Sequence, residues 1–377
     1  MYLTPSHVCY NSPKEIAWAR QQLFTTWGIT APRRQLNPAA QPLSLHRSEL
    51  KEIVASKQKY VASLKADGVR YLLLLTKEVV NNRTENVALM FDRKLIPYEV
   101  SLWAPAHMFE LGSLFDGELV ATKGEADSVM RFLVFDAMTV AGDRVGQSRN
   151  YLERFATVRK LFDVGNTYDF MTADLADELV LHHSQVVVVN HDCNLRMQSK
   201  PITPVENLRQ LWLERQVSGF RQDGIVFTDI TCPVSVGRNP SQYKWKMVHT
   251  IDVLVRYDSA TSDGAVFVEH GNRKILLSLE PVLAVPVAAE AMGKQQVICK
   301  IVDNLILQNL DKGGKSYIFE CTMELKMEQR LLLLFPIGLR HDKLVPNQLT
   351  TVESTIENVI EHIDIEELLD EVCNDVF

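Results

Sequence analysis

The chain lacks the features that would tie it to an oxidising compartment or a bilayer. Its six cysteines (Cys9, Cys193, Cys232, Cys299, Cys321 and Cys373) are scattered over 377 residues with no C-x-x-C pair. That excludes a disulfide scaffold and predicts a reducing compartment. No apolar run approaches the roughly 18 residues of a membrane span, since Tyr71 to Leu75 and Leu331 to Phe335 are strand-length. The N-terminus has no basic stretch leading into an apolar one. The expectation is a soluble, intracellular chain with no membrane partner. Beyond Lys343 there is no Lys or Arg, while nine acids run from Glu353 to Asp375. The net charge of -7 belongs to that segment: without it 40 bases face 38 acids, and an anionic substrate is not excluded. Repeats and low-complexity tracts are absent. With 46% hydrophobic residues there is ample material for a core.

What is there reads as strands with inserted helices. A short helix over Pro13 to Phe24 and a Pro-bearing stretch (Pro32, Pro38, Pro42) make residues 1–40 an N-terminal covering arm. Short β-rich runs follow at Tyr60–Leu64, Val69–Leu75, Val87–Phe91, Glu118–Ala121, Phe132–Val140, Val186–Asn190, Gly224–Thr228 and Tyr243–Met247. Helical patterns interrupt them at Tyr151–Phe162 and Pro204–Val217. Such an order favours an α+β, antiparallel architecture over a doubly wound sheet. Residues 252–340 read as almost all strand, with the size and spacing of a small barrel. Thr350 to Val372 carries an apolar stripe, Val352, Ile356, Val359, Ile360, Ile363, Leu368, Leu369 and Val372, with acids opposite, which predicts one or two helices packing on the first domain.

The chemistry centres on Lys65-Ala66-Asp67-Gly68-Val69-Arg70, a tight turn between two strands. A lysine there can act as a nucleophile if its environment frees the amine. By itself the pattern also suits a surface hairpin with an ordinary lysine. Downstream, in order, stand Asp92-Arg93, Phe115-Asp116-Gly117-Glu118, Phe132 to Asp136, Asp223 to Phe227, Tyr243-Lys244-Trp245-Lys246 and Arg340-His341-Asp342-Lys343. Lys244 and Lys246 alternate with Trp245, so one strand face points two cations the same way, an arrangement that calls for an anion.

This collinear set resembles the covalent nucleotidyltransferase superfamily of polynucleotide ligases and mRNA capping guanylyltransferases. Two stretches are similar to the capping branch: Gln41-Pro42-Leu43-Ser44-Leu45-His46-Arg47, and Arg340 to Asn347, which reads R-H-D-K-L-V-P-N. Val236-Gly237-Arg238-Asn239 resembles compact, stand-alone viral members. The resemblance implies an antiparallel-sheet nucleotidyltransferase domain of the ATP-grasp-like, ligase type over 41–251, a C-terminal OB-fold β-barrel over 252–346, and a helical segment over 347–377.

By the same resemblance Lys65 attacks the α-phosphorus of GTP, forms lysyl-GMP and releases pyrophosphate, and GMP then passes to the 5′-diphosphate end of RNA. Arg70, Arg93, Glu118, Phe135, Lys244, Lys246, Arg340 and Lys343 would bind the nucleotide, with Phe135 stacking on guanine. Residue type alone makes Phe135 a core side chain. Asp223, Asp252 and Asp342 would support a metal or phosphate, the metal being Mg2+ or Mn2+. Departures from the family pattern are the short spacing from Lys246 to Asp252, Gly338 where an additional arginine is common, and Phe335 in place of a tryptophan.

Two other functions compete. An ATP-dependent DNA or RNA ligase would use the same lysine chemistry, but the Q-P-x-S run speaks against it. A non-catalytic RNA-binding scaffold has no need of Lys65, Glu118, Asp223, Lys244 and Lys246 together. No H-C-x5-R loop and no glycine-rich methyl-donor loop is found, so a separate RNA triphosphatase and a cap methyltransferase are expected partners, and RNA polymerase is open as a third. The nucleus is the expected location, or the cytoplasm or a viral factory for a virus-encoded chain. His182, His183, His191 and Cys193 match no standard zinc spacing and read as incidental. Arg33-Arg34 reads as an exposed turn.

Overall fold

The apolar run Tyr71 to Leu75 shows no alternation because its strand is covered on both faces. Leu72 and Leu74 pack with Leu23 and Trp27 of an N-terminal helix, while Tyr71, Leu73 and Leu75 join a second core with Tyr151, Phe155 and Val158. The computed structural model describes residues 10, 12–29, 38–80, 82–100, 102, 104–122, 130–163, 195–258, 263–270, 273–276, 298–301, 316–326, 331–340, 343 and 345–374. Contacts divide the chain into a first unit, Met1–Leu43, Ile53–Lys244 and Val372–Phe377, and a second, Ser44–Glu52 and Trp245–Glu371. The division falls between Lys244 and Trp245, ahead of the expected boundary at residue 252.

In chain order the elements up to the division are α1 (Pro13–Trp27), β1 (Ala40–Ser44), α2 (Arg47–Ala55), β2 (Tyr60–Ala66), β3 (Val69–Val80), β4 (Arg83–Phe91), β5 (Pro97–Glu99), α3 (Ala106–Glu110), β6 (Ser113–Ala121), β7 (Met130–Thr139), α4 (Val145–Ser148), α5 (Tyr151–Phe162), β8 (Leu195–Ser199), β9 (Thr203–Pro204), α6 (Leu208–Glu214), β10 (Gln222–Asp229) and β11 (Gly237–Lys246). They form two sheets, ordered β1-β11-β10-β2-β9 and β5-β4-β3-β6-β7-β8. Helix α1 starts where Ser12 and Glu15 close a capping box around Pro13, and it stops at Gly28, whose φ of 76° is left-handed. It buries Ala19, Leu23, Phe24 and Trp27. Helix α5 starts on an equivalent box, Asn150 with Glu153.

The sheets are antiparallel-rich, but β8 runs parallel to β7. The departure from the antiparallel expectation has a topological cause: the chain leaves β7, passes through α4 and α5, and re-enters beside it, as a crossover connection requires. The expected strand Val186–Asn190 lies outside the described residues.

The second unit holds β12 (Thr250–Asp258), β13 (Asp263–His270), β14 (Arg273–Leu276), β15 (Ile298–Ile301), β16 (Ser316–Lys326), β17 (Leu331–Leu339), α7 (Leu349–Glu361) and α8 (Ile365–Cys373). Its strands are ordered β14-β13-β12-β16-β17-β15, with β15 parallel to β17. Among the described residues these pairings form an open six-stranded order. The apolar stripe of the C-terminal segment forms helices as expected, and α7 packs on this unit's own sheet. Val352 and Ile356 share a core with Ile251, Val253, Val266 and Val268. Nearby chain explains the choice, because β12 and β13 already leave an apolar face to cover. Two polar ties add to it: Asn358 Nδ2 donates to Leu45 O at 3.0 Å, and Arg47 Nε donates to Glu361 O at 3.1 Å. Among the described residues no helix is long and apolar enough to cross a membrane.

Candidate active site

Lys65 lies near the end of β2, opposite Gly224 of β10. An irregularity between Gln222 and Gly224 makes Asp223 the extra residue of a bulge, a device that re-aims a side chain. Its carboxylate accepts from Lys65 Nζ at 2.7 and 2.9 Å. The lysine is 23% exposed. The next turn is tight because Gly68 lies directly on β6: a Cβ there would be 2.3 Å from Leu119 O and 2.7 Å from Val120 Cγ1.

That turn aligns β3 so that Arg70 pairs in register with Glu118, and Leu72 with Asp116. Arg70 donates Nε to Asp116 Oδ1 at 2.8 Å, Nη2 to the other oxygen, and Nη1 to Ala40 O at 2.6 Å. Asp116 is buried. Burial pushes its carboxyl up, and the Arg70 guanidinium opposes that shift. The sequence named Arg70 and Glu118 but not Asp116, whose role as the anchor of Arg70 is set by the β3–β6 register.

Phe135 sits on a second bulge. Asp116 pairs with Asp136 and Gly117 with Val134, which leaves Phe135 without an opposite residue. It is half-buried, while Phe132 on the same strand fills the core. The Arg70 guanidinium carbon is 5.3 Å from its ring centroid and Lys200 Nζ is 5.5 Å away. Behind the ring, Tyr151 Oη donates to Phe135 O at 3.2 Å. Arg154 Nε and Nη2 hold the Asp136 carboxylate at 2.7 and 3.0 Å.

Lys200 is the principal residue that sequence reasoning missed. It follows β8 immediately, is only 6% exposed, and carries no motif that would single it out. Its backbone N–H donates to Val134 O at 2.8 Å, which fixes it beside β7. Burial lowers its pKa to about 8, against the attraction of Glu118. Glu118 in turn is pushed up by burial and pulled back by four cations: Arg93, Lys65, Arg70 and Lys200. Arg93 is exposed in the turn after β4. The first unit thus gathers Lys65, Arg70, Arg93, Glu118, Phe135, Lys200 and Asp223, a strongly cationic group with two carboxylates, suited to a polyanion carrying an aromatic base.

Lys244 is half-buried on β11, between the buried Tyr243 and Trp245, so the alternation read from sequence is present. Lys246 belongs to the second unit, as do Asp252, Arg340 and Lys343. Asp252 is buried on β12 and accepts from Arg340 Nη1 at 2.9 Å and from Lys343 Nζ. Glu320 is 3.4 Å from the same Arg340 nitrogen. Asn347 brackets Asp252, its Oδ1 accepting from Asp252 N at 2.7 Å and its N donating to Asp252 O at 2.8 Å. The carboxylate of Asp252 is therefore engaged by two cations. Asp342, and the cluster His182, His183, His191 and Cys193, lie outside the described residues, as do Arg33 and Arg34. Among the described residues no group of three or more His, Cys, Asp or Glu is placed to hold a metal ion.

A family model described as mRNA capping enzyme, catalytic domain, matches residues 7–248. The mRNA-capping enzyme subunit alpha of Candida glabrata is 24% identical, over 89% of this chain and 80% of that protein. Its counterpart of Neurospora crassa is 26% identical, over 58% of this chain and 53% of that protein, so the match spans about half the length of that relative. Among solved structures, the ATP-dependent DNA ligase of bacteriophage T7 in complex with ATP aligns over 80% of this chain and 98% of that one, at 12% identity and a TM-score of 0.35.

Proposed function

The chain belongs to the mRNA capping enzyme family, and from that premise we propose that it is a GTP:RNA guanylyltransferase. The neutral amine of Lys65 attacks the α-phosphorus of GTP; a P–N bond forms, the bond to the β-phosphate oxygen breaks, and pyrophosphate leaves. The RNA 5′-diphosphate then displaces the lysine and takes the GMP. The observation that carries the reading is the contact of Lys65 Nζ with both oxygens of Asp223, inside a group whose other members are cations around Glu118. Asp223 holds the amine in place and is the group next to it that can take its proton.

Arg70 and Arg93 are assigned to phosphate or ribose oxygens, and Lys244 and Lys246 to the α-phosphate. The ring of Phe135 stacks on the base. Lys200, beside that ring, is a donor for an acceptor on the base edge; guanine presents a carbonyl oxygen where adenine presents an amino group, which supports GTP over ATP. Arg340 and Lys343 are assigned to the β- and γ-phosphates, where they would orient the leaving group. The OB-type reading of the second unit belongs to this proposal too.

A divalent ion fits the donor set. Asp223 and Glu118 are hard oxygen ligands, and Mg2+ or Mn2+ commonly binds through one or two carboxylates together with substrate phosphates. Such an ion would supply charge neutralisation on the phosphates. Asp252, which accepts from Arg340 and Lys343, is assigned to holding those two cations in support of the phosphates.

Partners follow from chemistry: an RNA 5′-diphosphate requires a triphosphatase upstream, and the unmethylated cap a methyltransferase downstream. The word subunit in the relatives' names supports separate chains for these steps. Incubation with α-labelled GTP and Mg2+ or Mn2+, followed by denaturing electrophoresis, tests the proposal. Label should enter the protein from GTP, not from ATP, and not in Lys65→Ala; label from ATP alone would make the protein a ligase.

A further inference from the structure

Helix α1, part of the expected covering arm, is tied through one side chain to the turn that carries Arg93. Arg20 projects from α1 to the turn between β4 and β5, donating Nε to Leu95 O at 2.9 Å and Nη2 to Lys94 O at 3.1 Å. Two parallel N–H groups of one planar guanidinium thus fix two successive carbonyls, a geometry a lysine cannot reproduce. The turn needs such support. Leu95 has a φ of 57°, in the left-handed region that a leucine adopts only under constraint, and its side chain is fully buried in the core that α1 lines. The rest of the turn is tied through Asp92. Its Oδ1 accepts from Lys94 N and Ile96 N, both at 2.8 Å, and its carbonyl accepts from Leu95 N at 3.0 Å.

The residue this turn presents is Arg93. It is exposed, lies between two anchored positions, and its charge acts on Glu118 inside the cationic group. We propose that Arg20 is a positioning residue for nucleotide binding: it does not touch the substrate but holds the Lys94–Leu95 carbonyls so that Arg93 faces the nucleotide. The inference rests on the guanylyltransferase reading above, through the role given there to Arg93.

The test measures lysyl-GMP formation against GTP concentration for wild type, Arg20→Ala, Arg20→Lys, Arg93→Ala and the double variant Arg20→Ala/Arg93→Ala, with thermal unfolding recorded for each. Arg20→Ala should raise the half-saturating GTP concentration about ten-fold while leaving the limiting rate within about two-fold, the size expected for one misplaced charge-assisted contact. Arg20→Lys, which keeps the stem and one donor, should recover part of the loss and guards against a variant that merely unfolds. In the Arg93→Ala background, Arg20→Ala should add nothing, because a positioning residue has no effect once its client is gone. If the two effects multiply, or if a folded Arg20→Ala shows the wild-type GTP dependence while Arg93→Ala does not, the inference is overturned and the reading of Arg93 stands. If Arg93→Ala itself behaves as wild type, the assignment of Arg93 is the part that fails.

Discussion

Lys65 meets Asp223 through both oxygens of one carboxylate, at 2.7 and 2.9 Å. The amine is therefore held as a donor, and it must give up a proton before it can attack phosphorus. Lys65→Ala and Lys65→Arg should both abolish the covalent adduct, the second because a guanidinium stays protonated. Asp223→Asn keeps the shape but not the charge, and should slow adduct formation by about 10² or more, the usual worth of a positioned proton acceptor. Labelling by α-labelled GTP reads all three; retained labelling in either lysine variant would remove the nucleophile assignment.

Lys200 gives the site a pH dependence whose sign is fixed by its burial. With its pKa lowered to about 8, the side chain is charged below that pH and neutral above it. If the cation contributes to holding GTP, the half-saturating GTP concentration should rise as pH increases through about 8. Lys200→Met should bind GTP more weakly at pH 7 and lose that dependence. Stability moves the other way. Between about 8 and the ordinary 10.5 the unfolded chain binds more protons than the folded one, so the wild type should gain stability as pH rises across that window, and Lys200→Met should not. Equilibrium unfolding at several pH values separates the two effects.

Removing Arg70 should cost more than removing its partner as well. Arg70→Ala leaves the Asp116 carboxylate buried and unpaired, a situation worth about 3–5 kcal/mol of stability in comparable pairs. The double variant Arg70→Ala/Asp116→Ala should recover part of that loss in a urea titration. A purely additive result would mean that the pair is not coupled as its bidentate geometry indicates.

The two halves of the reaction should respond differently to the second unit's cations. Arg340→Ala or Lys343→Ala should damage lysyl-GMP formation much more than transfer of GMP from isolated adduct to RNA. The β- and γ-phosphates have left before RNA binds, so groups that act on them can help only the first step. Adduct that transfers as poorly as it forms would contradict that assignment.

Legibility followed sequence separation. The Lys65 turn, the Tyr243–Lys246 alternation and the α7 stripe are local patterns, and each appears as local geometry. Residue type alone would place Phe135 in the core, whereas it sits half-buried at the bulge opposite Asp116 and Gly117. Lys200 and Arg20 gave no signal: one is a lone lysine after a short strand, the other a helix residue whose partners lie 74 and 75 positions away. The contacts of Asp252 with Arg340 and Lys343 likewise join residues far apart in the sequence. Such roles depend on which segments the fold brings together, and no spacing along the chain encodes that.

The segment Ser44–Glu52 carries a consequence for the nascent protein. It belongs to the second unit, and Arg47 and Glu361 are 314 positions apart. At synthesis rates of about 5–20 residues per second, the ribosome delivers the partner on the order of 15–60 s after the segment itself. During that interval His46 and Arg47 have no Glu361 to bind, and Leu45 has no Asn358. A fragment ending near Lys244 would keep these residues in that waiting state permanently, so excising the first unit cleanly requires dealing with residues 44–52 as well as choosing a C-terminus.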